Sequence, residues 1–401
     1  MEPPTDTAGG FQVLTMGVEE EFFLVDRHSR APVPRAPPVI ARAAAVLGEQ
    51  VQAEFYRSMV EVCTNPTASS ANLRAQMTAL RGAVVGAARD AGCLLLASGT
   101  PVVPPSGPIP VTDKPRCRRM EALFRAAVDG RDGPTCGCHI HVGSIDRSQA
   151  LDLTNGARPW LPTLQALAVN SPFSGGRDTG FASRRAIRSE LWPTTEPPPV
   201  LSRTAYEATA DALVTSGILL DRRSISWYAR PSEHVPTLEI RIADVNADLD
   251  TALLIAVLTR GLCTALLPGV QDGRPPPHVP PGLLRAAHRR AARLGSTGLG
   301  IDPLTGAEVP MRQLIEGLAA RAAPGLCAAS DLALARQLLD RHHAFGSGAD
   351  RQRARHLRTG SLNDVVDHLA VLTAGAGDPL ECAATYGVLA SSCTPGRVAR
   401  P

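Results

Sequence analysis

Three consecutive carboxylates, Glu19, Glu20 and Glu21, sit inside Gly17-Val18-Glu19-Glu20-Glu21-Phe22-Phe23-Leu24-Val25, a run that otherwise reads as a β-strand. Successive strand side chains point to opposite faces. Glu19 and Glu21 therefore share one face, and Glu20 joins Val18, Phe22 and Leu24 on the other. Two like charges side by side on a half-buried sheet repel by on the order of 4 kcal/mol at about 4 Å and an effective dielectric near 20. A fold that keeps such a pair has to set positive charge against it, so this strand is a candidate metal site.

Three further segments repeat the two-faced pattern. In Cys136-Gly137-Cys138-His139-Ile140-His141-Val142-Gly143, the strand expected over 135–143, His139 and His141 share a face opposite Ile140 and Val142. In the strand expected over 224–230 the polar face is Ser226, Tyr228 and Arg230, and over 236–243 it is Thr237, Glu239 and Arg241. One face of the sheet is thus a hydrophobic core and the other carries Glu, His and Arg. A plain solvated face would more often carry Lys, Thr, Ser and Gln. A second strand is expected over 51–64, stopped by Asn65-Pro66. It bears Glu54 and Glu61, seven apart and so on opposite faces of a regular strand. Either a bulge or bend brings both to one site, or one of them is a surface carboxylate.

Hard carboxylates with an imidazole suit Mg²⁺ or Mn²⁺ better than zinc or copper. The Cys136–His141 spacing does not fit a structural zinc site. Carboxylates and arginines on one face suit the handling of a phosphorylated nucleotide through metals. The sequence contains neither a P-loop nor a dinucleotide-binding glycine fingerprint.

Residues 1–10 read as a disordered polar leader, 11–267 as an α+β catalytic unit, 268–282 as a Pro/Gly-rich linker and 283–401 as a helical region on the same unit. Helices are expected over 70–92, 147–170 and 249–267, a helix or strand over 38–48, a buried strand over 93–98 and loops over 101–116 and 171–203. Strands come first and helices alone follow, which favours an antiparallel sheet with helices on one face. The net charge of +3 is too balanced to argue for nucleic acid or a membrane surface. The start lacks the basic and apolar segments of a signal peptide, and no apolar run approaches a membrane span of about 20 residues, so a cytoplasmic location is expected. The nine cysteines are odd in number and scattered, and reduced thiols are expected for most of them.

Taken together, Gly17–Phe22, Ser58-Met59-Val60-Glu61-Val62, Cys136–Gly143, Asn170-Ser171-Pro172-Phe173, Gly176–Ser183, Arg230-Pro231-Ser232, Thr237–Arg241, Gly298-Leu299 and Asp302–Gly306 resemble the glutamate–cysteine ligase type 2 family, the YbdK-type carboxylate–amine ligases, over about residues 12–375. The resemblance implies a fold similar to the catalytic domain of glutamine synthetase and the guanido kinases, with an antiparallel sheet lining an ATP- and metal-binding funnel. It implies amide formation through an acyl phosphate, with glutamate and cysteine the default substrates and a homodimer possible. By position it implies Glu19, Glu21, Glu54, Glu61, His139 and Glu239 as metal ligands. Arg241 and His141 would contact the nucleotide, Arg241 neutralising the transferred phosphoryl group, and Arg230 would hold the substrate carboxylate. Three positions depart from the family pattern, Pro101, Cys117 and Tyr228, all expected near the pocket mouth. They leave open a degenerate nucleotide- or metal-binding homologue, or a ligase with other acid and amine substrates.

Overall fold

The computed structural model describes residues 11–128 and 133–375; the leader expected over 1–10 and the end of the helical stretch lie outside them. Strand β1 (Thr15–Asp26) is central, flanked in sequence by β2 (Val51–Ala53), β3 (Met59–Cys63) and β4 (Cys93–Leu96). Downstream come β5 (Gly137–Gly143), the two-residue pair β6 (Phe173–Ser174) and β7 (Arg177–Asp178), then β8 (Ala229–Pro231) and β9 (Leu238–Asp244). The main sheet runs β2-β3-β1-β5-β9-β8, with β4 also on β1, and its pairings are antiparallel. The α+β class and the antiparallel sheet expected from the sequence are therefore met.

Helices cover the apolar face. Helix α1 spans Ala36–Leu47 and α2 spans Ser70–Asp90. Ser69 caps α2 by accepting from the Asn72 N–H, and Leu73, Met77, Leu80, Val84 and Ala88 are buried along it, the three- and four-residue spacing of an amphipathic helix. Short helices α3 (Pro115–Leu123) and α4 (Arg125–Val128) follow, then α5 (Arg147–Ala157), α6 (Leu161–Leu167), α7 (Arg184–Ser189) and α8 (Arg203–Thr215). Helix α9 (Leu249–Gln271) lies against β1, β5 and α5. Met16, Val18, Ile140, Val142, Leu238 and Ile240 of the sheet share one buried cluster with Leu253, Val257 and Leu262 of α9. At about 1.5–3 kcal/mol for each such side chain buried, this face holds the sheet together. Residues beyond form α10 (Pro281–Leu294), a hairpin of β10 (Leu299–Ile301) and β11 (Glu308–Pro310), and α11 (Met311–Ala328), α12 (Leu332–Phe345), α13 (Gly348–Thr359) and α14 (Leu362–Thr373). Helices α9 and α11 touch so closely that a Cβ on Gly325 would collide with the Gly261 carbonyl.

Four local expectations change. The strand expected over 51–64 is a hairpin, β2 and β3, reversing through 54–58, with Val51 opposite Val62 and Gln52 opposite Glu61. The strand expected over 224–230 shrinks to β8, because Arg222–Ser224 forms a 3₁₀ turn capped by Asp221. Helix 147–170 breaks at the 3₁₀ turn Arg158–Trp160, where Pro159 lacks an N–H to continue the ladder. The apolar run in α9 is longer than expected: 23 residues, with a mean hydropathy of 1.9 over its most apolar window. By length and composition it could cross a membrane, but 78% of that window is buried inside the fold, as a core helix requires.

Candidate active site

β1 carries the alternation into three dimensions. Glu20 leaves the polar face and meets Arg81 of α2 in a buried pair, Nε to Oε2 at 2.9 Å and Nη2 to Oε1 at 2.5 Å. Arg81 also donates to the carbonyls of Asn246 and Ala247. Glu19 and Glu21 face the other way. The register sets Glu19 opposite His139 and Gly17 opposite His141 on β5, and Glu21 opposite Glu61 on β3. It also sets His141 opposite Glu239, and Glu239 opposite Arg230 on β8. The β5–β9 register slips by one residue across His139, so Arg241 and Ile242 together oppose it; such bulges re-aim side chains beside sites.

These residues line one cavity of about 710 Å³: Glu19, Glu21, Glu54, Glu61, His139, His141, Arg230, Glu239 and Arg241 are all in its wall. The hairpin resolves the seven-residue problem, since the reversal after β2 returns Glu54 to the face of Glu61. Ligand atoms fall into two groups, each within 4.8 Å: Glu19, His141 and Glu239, and Glu21, Glu54 and Glu61. His139 stands between them. Its Nδ1 is 3.1 Å from Glu19 Oε2 and 3.9 Å from Glu239 Oε1, and its Nε2 is 3.8 Å from Glu21 Oε1. His141 places Nε2 3.1 Å from Glu19 Oε1 and Nδ1 2.8 Å from Thr237 Oγ1. The Gly137 N–H donates to Glu21 Oε2 at 2.6 Å.

The two groups differ electrostatically. Burial pushes the Glu19 carboxyl up, but its contacts with His139 and His141 outweigh this and hold it well below the usual range. Burial likewise opposes the charge on Glu239, yet Arg241 and Arg230 bring it down to about 2. Arg230 Nη2 lies 3.0 Å from Glu239 Oε2, and Arg241 pairs with Glu239 Oε1. At the other end burial dominates: it raises Glu54 to about 8, with Glu21 adding repulsion and the Phe55 N–H and Arg241 offsetting only part of the rise. Glu61 is raised well above its ordinary value by burial and by Glu54, Glu19 and Glu21. Burial and repulsion between neighbouring carboxylates thus favour the protonated forms of Glu54 and Glu61.

Sequence reasoning missed other cavity residues. Arg185 of α7, inserted beside Gly137 where a Cβ would strike its guanidinium, lines the cavity and donates to the Arg241 carbonyl at 3.2 Å. Lys114, the chain's one lysine, lines the mouth with Arg116 and Arg223. Isolated arginines in an arginine-rich chain carry no signal of their own. Of the three departures, Cys117 and Tyr228 line the cavity. Pro101 does not; its ring sits behind Gly133, which does. The loop after α6 is anchored by buried Asp244, which accepts from Asn170 N–H, Ser171 Oγ and Ser183 Oγ at 2.8, 2.6 and 2.8 Å, and by Arg353 on Asp178.

A family model described as glutamate–cysteine ligase family 2 matches residues 15–368. "Putative glutamate--cysteine ligase 2" of Salinispora arenicola is 41% identical over 363 residues, 90% of this chain and 95% of that protein. Among solved structures, a glutamate–cysteine ligase from Francisella tularensis in complex with AMP superposes with a TM-score of 0.62 at 12% identity, covering 96% of both chains. A bifunctional glutathione synthetase from Pasteurella multocida gives 0.66 at 14% identity; it matches 90% of this chain, which spans about half, 52%, of that larger protein. At these identities the two structures establish the fold.

Proposed function

The chain belongs to glutamate–cysteine ligase family 2, and we propose that it joins a carboxylate to an amine at the expense of ATP, through an acyl phosphate. The carrying observation is the single cavity that gathers Glu19, Glu21, Glu54, Glu61, His139, His141, Glu239, Arg230 and Arg241 on one sheet face.

The donor set fits divalent cations: each of two groups offers three hard or imidazole donors within 4.8 Å, and burial with repulsion from neighbouring carboxylates raises Glu54 and Glu61, a repulsion that a cation would relieve. Glu19, His141 and Glu239 would hold one ion and Glu21, Glu54 and Glu61 another, with His139 orienting both. Bound there, Mg²⁺ or Mn²⁺ would neutralise phosphate oxygens and polarise the γ-phosphoryl group. Arg241, paired with Glu239, would meet the charge developing on the transferred phosphoryl. Arg230 is buried, and its Nε and Nη1 find no protein partner. Buried N–H donors left without an acceptor are costly, so these two suit the carboxylate of the acid substrate.

In the first step a carboxylate oxygen attacks the γ-phosphorus and the bond to the β-phosphate breaks, releasing ADP. In the second, the amine lone pair attacks the acyl carbon, the carbon–oxygen bond to phosphorus breaks, and phosphate and a proton leave. Glutamate and cysteine are the default pair. Purified protein given ATP, Mg²⁺ and acid–amine pairs is expected to release ADP and phosphate with an amide of matching mass. Binding of ATP with no release for any pair overturns the reading.

A further inference from the structure

We propose that Arg185 is a positioning residue for phosphoryl transfer, clamping the β9 bulge from which Arg241 reaches into the cavity. The inference rests on the ligase reading above and adds a residue to it. Arg241 and Ile242 together oppose His139, and a bulge leaves backbone groups without ladder partners. The early end of β8 opens a second gap. Its pairing sets Ala229 opposite Ile240, and just beyond, the Arg241 N–H donates to the Tyr228 carbonyl at 2.9 Å. A continuing antiparallel ladder would return the Tyr228 N–H to the Arg241 carbonyl. That N–H goes instead to the Glu196 carbonyl, at 3.0 Å. Arg185 supplies the missing donors: its Nη2 reaches the Arg241 carbonyl at 3.2 Å and its Nη1 the Ile242 carbonyl at 3.4 Å.

The surroundings are shaped to that guanidinium. A Cβ on Gly137 would lie 2.3 Å from Nη2, so glycine leaves the slot open. The Arg185 N–H donates to Ser171 Oγ at 3.1 Å, and Ser183 caps α7 by accepting from the Ala186 N–H. Both serines donate to Asp244, the last residue of β9. The strand that carries Arg241 thus anchors the helix whose arginine comes back to the Arg241 carbonyl. Both terminal nitrogens of Arg185 are committed to backbone, so it acts through Arg241 and not on a phosphate. Register gives the clamp its effect. Loss of the bulge would shift β9 by one residue on one side of it, and such a slip turns side chains to the other face of a sheet.

The test is a double-mutant cycle on the full chain, with ATP, Mg²⁺ and an acid–amine pair that it turns over. Arg185→Met removes the donors and keeps the bulk. Gly137→Ala keeps the charge but drives the guanidinium, the far end of a flexible side chain, off the carbonyls. Each should lower kcat per folded molecule by about ten- to a hundredfold, the scale of a misplacement near 1 Å. The KM for ATP and for the acid should stay within about threefold of the parent. Arg185→Lys, which keeps N–H donors without the planar fork, should lose less. In an Arg241→Gln background, Arg185→Met should cost less than about twofold more, since residues acting through one network are not additive. A full additive loss overturns the proposal, as does an effect confined to KM. Unchanged kcat in Arg185→Met also overturns it, leaving Arg185 a purely structural role. If Arg185→Met fails to fold, Gly137→Ala carries the same cycle. If no pair yields an amide, the ligase reading fails on its own, and the clamp is judged by calorimetry of ATP and ADP with Mg²⁺. Equal loss of the preference for ATP in Arg185→Met and Arg241→Gln, no larger in the double variant, supports it. A preference retained in either single variant overturns it.

Discussion

Glu20→Gln separates the two faces of β1 and is expected to damage the fold while sparing the site. The Glu20 and Arg81 side chains are 2% and 4% exposed, and the pair makes two hydrogen bonds on the apolar side of the sheet. Breaking one partner of a buried pair costs about 3–5 kcal/mol. Gln keeps one acceptor, and the Asn246 and Ala247 carbonyls still serve Arg81, so the lower end, about 3 kcal/mol, applies. With a urea slope of about 3 kcal/mol per molar for a chain of this size, the midpoint falls by about 1 M. Turnover per folded molecule and the Mg²⁺-induced rise in midpoint should stay within about twofold of the parent. Glu21→Gln is expected to show the opposite pattern: a midpoint without metal equal to or above the parent's, because a repelling charge is gone, and no added stability from Mg²⁺. A ligand at a hundred times its Kd stabilises the parent by about 2.7 kcal/mol, so the contrast is easily read. A Glu20→Gln midpoint within about 0.3 M of the parent, or loss of its Mg²⁺ response, refutes the assignment of faces.

Three further outcomes follow. Glu54 has a folded value near 8, above its unfolded one, so the cation-free protein holds an extra proton between the ordinary carboxylate range and pH 8. Its stability should fall as pH rises through that window, and calorimetry at pH 7 in buffers of different ionisation enthalpy should show Mg²⁺ binding releasing protons; binding without release contradicts this. Glu239→Gln takes the shared partner from Arg230 and Arg241 and should cut turnover by at least about a hundredfold with the far-ultraviolet circular dichroism retained; retained turnover removes Glu239 from the chemistry. Gly325→Ala forces α9 and α11 apart at Gly261 and should lower stability by about 1–3 kcal/mol in urea unfolding, with turnover per folded molecule unchanged.

Period-two alternation was enough to read the polar and apolar faces of β1, β5 and β9, because each is long and half-buried, and it placed Glu20 apart from Glu19 and Glu21 correctly. What it could not supply was the partner: Arg81 looks like any helix arginine until the fold brings α2 beneath Glu20. Glu54 and Glu61 were ambiguous because chain reversal, not strand period, sets their faces, and residues 54–58 carry no Gly, Pro or Asn to mark the turn. Arg185 was hidden by abundance, one arginine among many.

The most direct measurement follows oxygen. With the acid substrate labelled with oxygen-18 in its carboxylate, the proposed sequence passes one carboxylate oxygen to phosphorus and leaves it there when the amine attacks carbon. Mass spectrometry of the phosphate released during amide synthesis should then find one labelled oxygen per amide formed, with ADP as the only nucleotide product. Unlabelled phosphate, or label carried on AMP, contradicts the acyl phosphate and with it the role proposed for the Glu19–Glu239 face.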